Sequence, residues 1–177
     1  MADHFPGEIT IGGKVPADLL EAFLGELNSA EAKVGGYDGA DAAFQSAREL
    51  REALNNDGHL FLVDDQAQCG MFEDLEAFCV KHGIAFDRHS DAKYEYDAEN
   101  VYFRPGMKEP ESVPSNNDGE ALLRVETIRP VAKELARLVT TTLTREKVLA
   151  AAKKVIRHLN SLLPPEVEPL PPLEIVE

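Results

Sequence analysis

HLFLVDDQAQCGMFEDLEAFCVKHGIAFDRHSDAKYEYDAENVYFR, residues 59–104, carries the reading on which the fold depends. Its opening, His59–Asp65, holds four consecutive apolar side chains, Leu60–Val63, the pattern of a strand buried on both faces in the middle of a sheet. The period then changes. Phe72, Leu75, Phe78 and Cys79 recur at helical spacing, which predicts an amphipathic helix over 70–82. Its first turns carry Glu73, Asp74 and Glu76 and its last turn Lys81 and His82, the arrangement a helix dipole favours, and Gly83 supplies a stop. Ile84–Asp87 is expected to return as a strand. Lys93–Tyr96 and Asn100–Arg104 read as the arms of a hairpin, with Tyr94, Tyr96 and Tyr102 forming its cross-strand pairs.

Upstream, Glu8–Val15 alternates Ile9 and Ile11 with polar neighbours, so a half-buried strand is expected there, bent at Gly12-Gly13. Pro16 then opens a helix over 16–28, with Leu20, Phe23, Leu24 and Leu27 on one face. Ala32–Tyr37 reads as a short strand weakened by Gly35-Gly36. Phe44, Ala47, Leu50 and Leu54 predict a second helix over 41–55, closed by Asn55-Asn56-Asp57-Gly58.

Downstream, Pro105–Gly119 is rich in Pro, Ser, Asn and Gly and predicts a mobile loop. Leu122–Ile128 reads as a strand from Val125, Thr127 and Ile128, followed by helices over 130–139 and 145–162. Residues 164–177, PPEVEPLPPLEIVE, are punctuated by proline and acidic, and are expected to be extended. Leu170, Leu173, Ile175 and Val176 would let them lie in a groove of their own body or of a second subunit. The fold class that follows is α+β or α/β: a mixed sheet of about five to six strands packed with three N-terminal helices, plus two C-terminal helices and an extended Pro-rich tail. The expected organisation is an acidic core domain over 1–107, a flexible loop over 108–119, a strand plus basic helices packing on the core over 120–163, and the tail over 164–177.

A chain of 177 residues buries enough surface to need neither disulfide nor metal for its core. Cys69 and Cys79 are too few for a disulfide framework and read as reduced thiols. MADHFPGEIT has neither the basic region nor the apolar run of a signal peptide, and no window approaches the ~20 apolar residues of a membrane span. The expectation is a soluble, cytoplasmic protein without a membrane partner. The net charge of −14 is unevenly spread. Residues 1–107 hold 21 acidic and 8 basic side chains, whereas residues 121–160 hold nine Lys/Arg against three Glu. An acidic body would repel a phosphate backbone, so direct nucleic-acid binding is not expected.

Two groups of side chains invite chemistry. Asp64 and Asp65 stand at the C-terminal end of the best strand, where ligands bind in open α/β sheets. Asp87, His89 and Asp91 alternate along an extended segment and so point to one side. If the two strands are neighbours, the five groups converge as candidate ligands for Mg²⁺ or Mn²⁺, hard cations that take oxygen donors. No other cofactor is indicated: neither Gly-rich phosphate motif is present, and two cysteines offer no zinc spacing.

No complete catalytic motif is legible, and whether the chain is an enzyme is left open. The function expected is a non-enzymatic interaction module that binds a protein partner or a second copy of itself as a homodimer. One alternative is a divalent-metal-dependent hydrolase or phosphoryl-transfer enzyme built on the Asp/His cluster. Another is an acidic nucleic-acid mimic that inhibits a basic partner.

Overall fold

Gly7–Pro16 forms β1, the strand around which the sheet is assembled. A computed structural model describes residues 3–93, 96–140, 144–164 and 166–177. The chain divides into two units, Met1–Ala121 with Val167–Glu177, and Leu122–Glu166. The first unit contains β1, α1 (Leu20–Ser29), β2 (Lys33–Val34), α2 (Ala47–Glu52), β3 (Leu60–Asp64), α3 (Glu73–His82), β4 (Ala85–Ser90), β5 (Glu99–Phe103), β6 (Glu111–Pro114) and β7 (Leu173–Val176). The second contains α4 (Val125–Thr140) and α5 (Arg145–Asn160). The architecture is α+β.

The strands lie in the order β2-β3-β1-β4-β5-β6, all antiparallel. β7 joins β1 in parallel, which makes the seven-stranded sheet mixed. β1 changes partners along its length. Gly7–Gly12 pairs with β3 on one side and β4 on the other, while Gly13–Pro16 pairs with β7. The exchange falls at Gly13, whose φ of 90° is open to glycine and strained for other residues.

Ile9 and Ile11 alternate onto the inner face together with Leu60, Leu62, Phe86 and Phe103, all fully buried. Phe23, Leu27, Leu75 and Cys79 of α1 and α3 join them in one cluster, and the Phe23 and Phe78 rings stack at 6.0 Å. Burial pushes the Cys79 thiol well above its ordinary range, with Glu76 and Glu26 adding to the effect.

The structure corrects several sequence expectations. The strand in mid-sheet with the most partners is β1, while β3 lies one place off. Residues 108–119 are not a bare loop, because β6 pairs with β5 there and buries Val113. Pro114 is compatible with an edge strand, whose outward N–H groups need no partner. Residues 122–128 are not a strand. α4 begins at Val125 and carries Pro130 within it. Ile128, Val131, Leu135 and Leu138 keep helical period through this stretch, and that period outweighs the β-branched propensity. The second helix is only Ala47–Glu52, capped by Ser46. Phe44 stays outside it because Asn28 bonds both its N–H and its carbonyl. Tyr94 lies outside the described residues. Of the expected hairpin, Glu99–Phe103 instead pairs between β4 and β6, and Lys93 bridges Tyr96.

Candidate functional site

β3 and β4 run in the same direction on either side of β1, so their C-terminal ends reach one edge of the sheet, beside Gly7. This brings the segments of Asp64-Asp65 and His89–Asp91 to the same edge but not to the same face. Asp64 alternates with Leu60 and Leu62 onto the helical side. There it lines a cleft with Glu26, Glu31 and Asp74, and accepts a 2.8 Å hydrogen bond from the Gln66 N–H. Asp87 and His89 alternate with Phe86 and Arg88 onto the outer face. They line a shallow cleft of about 180 Å³ with Glu8, Thr10, Asn100 and Tyr102.

Within that face each predicted group is already engaged. Asp87 holds the Arg104 guanidinium through two oxygens, at 2.6 and 3.2 Å. Arg104, only 8% exposed, also donates to the carbonyls of Phe86, Phe103 and Glu168. His89 Nδ1 lies 2.8 Å from Asn100 Oδ1. The Asn100 amide nitrogen donates to the Gly119 carbonyl at 2.7 Å, which fixes the amide and requires the imidazole proton on Nδ1. His89 Nε2 is buried, 3.4 Å from Asp91 Oδ1 without forming a hydrogen bond. Nδ1 is thus taken up by Asn100 and Nε2 is shut off from solvent, and the array ties β4 to β5 across the sheet face.

The carboxylates of Glu8, Asp91 and Asp65 all bear on the Tyr37 hydroxyl. Burial and then these carboxylates push Tyr37 up to about 12. Of the predicted five, His89 and Asp91 lie side by side, Asp64 is on the other face, Asp87 is tied to Arg104, and Asp65 follows Asp64 at the sheet edge. Among the described residues no group of three or more His, Cys, Asp or Glu is arranged to hold a metal ion. Glu8, Tyr37 and Asn100 escaped the sequence reading as site residues, and Arg104 entered it without its partner Asp87. Only Glu8 carried a local signal, its alternation against Ile9 and Ile11.

The second unit offers a different kind of site. α4 and α5 are each 16 residues long and pack against one another, with Val131 and Val155 the buried residue of each and Glu134 3.9 Å from Lys154. Apolar side chains remain outside that contact. Val125 and Val139 are exposed on α4, seven residues either side of exposed Ala132, and Leu135 lies beside them. Leu149 and Ile156 are exposed on α5, with Leu163 the next position in the same seven-residue series. Val139 is 87% exposed. Each helix therefore carries two apolar stripes, one facing its neighbour and one facing outward. Around them stand nine Lys/Arg and four Glu in residues 122–166. No helix among the described residues is long and apolar enough to cross a membrane. No protein-family model, curated protein or solved structure matches this chain.

Proposed function

We propose that this protein is a non-enzymatic interaction module that self-associates through the α4–α5 pair. The observation that carries the reading is the outward stripe of Val125, Ala132, Leu135 and Val139 on α4 together with Leu149 and Ile156 on α5. A seven-residue recurrence of apolar groups is the seam of left-handed helix packing. Two helices alone satisfy only one side of such a seam, whereas two pairs facing each other complete a four-helix bundle. A second copy supplies the matching stripe at the same spacing, which makes the surface self-complementary in the way a two-fold contact requires.

The magnitudes are those of a reversible dimer. Burying about five such side chains from each copy at ~1.5 kcal/mol each yields on the order of 15 kcal/mol. Association and side-chain ordering take back roughly half or more of that, leaving a Kd in the micromolar range or weaker. The closed state of His89 and the tied carboxylate of Asp87 favour this reading over catalysis on the sheet face.

Sedimentation equilibrium of the full chain from about 1 to 200 µM tests it. A monomer–dimer equilibrium is expected, abolished by Leu149→Lys with Ile156→Glu while the helical circular dichroism is retained. A monomer throughout the range sinks the proposal.

A further inference from the structure

Segment 167–177 lies along a track on the first unit that is built to receive an extended chain. The contacts that hold it are made to its main chain. Arg104 Nε donates to the Glu168 carbonyl at 2.8 Å, and His59 Nε2 lies 3.0 Å from the Leu170 carbonyl. The Gly13 N–H points to the carbonyls of Pro171 and Pro172, and the Leu173 N–H donates to the Gly58 carbonyl at 2.8 Å. β7 then pairs with Gly13–Pro16 in register. The track is cut to fit. A Cβ on Gly12 would stand 2.0 Å from the Pro171 carbonyl oxygen, so only glycine admits the segment there. One side chain, Leu173, is buried as an anchor.

We propose that this track is an exchange site for segment 167–177 of a second copy of this chain; the proposal rests on the self-association described above. Main-chain recognition is indifferent to which copy supplies the segment. The charges agree. Residues 167–177 contain three Glu and no Lys or Arg, while Lys14 stands opposite Glu174 and Arg51 lines the groove beside it, two of the eight basic positions in residues 1–107. The chain reaches the track only after α5, the element by which two copies would meet. An exchanged pair makes the same contacts along the track as an unexchanged one, so the balance is set by the helix pairing and by concentration.

Lys14 and Glu174 are exposed register partners, and Cys79 is fully buried, so on a Cys69→Ala background new thiols are selective reporters. A Lys14→Cys chain and a Glu174→Cys chain, distinguishable by tag, are co-expressed and oxidised. Exchange yields a disulfide-linked dimer joining the two different chains, absent when either variant is oxidised by itself. The Lys14→Cys/Glu174→Cys double variant is prepared in parallel. If it closes only within one chain and the mixture gives no linked pair, exchange is overturned. Light scattering on the same samples separates the two claims. Dimers without the cross-link refute exchange and spare the helix-pair contact, whereas monomers refute both.

Discussion

Arg88 sits between Asp87 and His89 and faces the other way. Asp87 and His89 turn outward, so period-two alternation sends Arg88 into the core side, 4% exposed. There its Nη2 is 2.5 Å from Glu99, its Nε 3.0 Å from Glu76, and its Nη1 3.3 Å from the Gly70 carbonyl. A buried cation needs such company, and the partners that supply it come from three distant segments that the sequence does not connect. Burial disfavours the Glu99 carboxylate, but hydrogen bonds from Ser112 and Arg88 and the Arg88 charge outweigh this and hold its pKa below the ordinary value. A depressed carboxyl adds stability that is present above the unfolded pKa and fades as pH falls through the folded one. Glu99→Gln is therefore expected to lower stability at neutral pH by about 2 kcal/mol and to flatten the acid limb below about pH 4, read by urea titration at each pH. Tyr37 gives the opposite limb. Its raised pKa adds stability that is full below about pH 10 and lost as pH rises through about 12. Tyr37→Phe should shallow the alkaline loss, and an absorbance titration of the parent should show one tyrosine ionising late. Gly12→Ala should expel segment 167–177 and cost about 2 kcal/mol for Leu173, seen as fast hydrogen exchange at residues 170–176.

Elements whose apolar residues repeat with one period were legible; those chosen between two periods were not. β1 falls where Ile9/Ile11 place it, and α3 keeps Leu75 and Cys79 inward and ends at His82 as expected, though it begins at Glu73 rather than residue 70. At Leu122–Ile128 propensity and spacing conflict. Val125, Thr127 and Ile128 favour a strand by propensity, while the series Ile128, Val131, Leu135 and Leu138 continues a helix. β6 was hidden by composition, since Pro110 and Pro114 look like loop residues until an edge position excuses them. Strand order, which decides that Asp64 and Asp87 face apart, depends on pairings between distant segments and has no local signature. α4 retains a testable defect. Pro130 lies within the helix and has no N–H to give the Glu126 carbonyl. Pro130→Ala should raise helicity at 222 nm and stabilise the helix pair by about 1–3 kcal/mol.

On the scale of the whole chain, stability is unevenly distributed. The first unit contains a large buried cluster, and the second buries Val131 and Val155. Amides of α4 and α5 should therefore exchange faster than those of β1, β3 and β4, and slow as protein concentration rises, whereas those of the sheet should not respond. Loss of concentration dependence in α4 and α5 would argue for an unpaired helical appendage. A net charge of −14 adds self-repulsion, so the melting temperature should climb as NaCl rises from ~20 mM to ~0.5 M. The parallel pairing of Gly13–Pro16 with Leu173–Val176 has a further consequence during synthesis. The strand at the heart of the sheet is made before the other six, and its partner β7 only after α5 is complete. Until then the Gly13–Pro16 edge stays open, and contacts of such long sequence separation close slowly. A nascent chain halted before residue 173 leaves an unmade ladder beside an exposed Val15, the kind of edge that chaperones shield and proteases read.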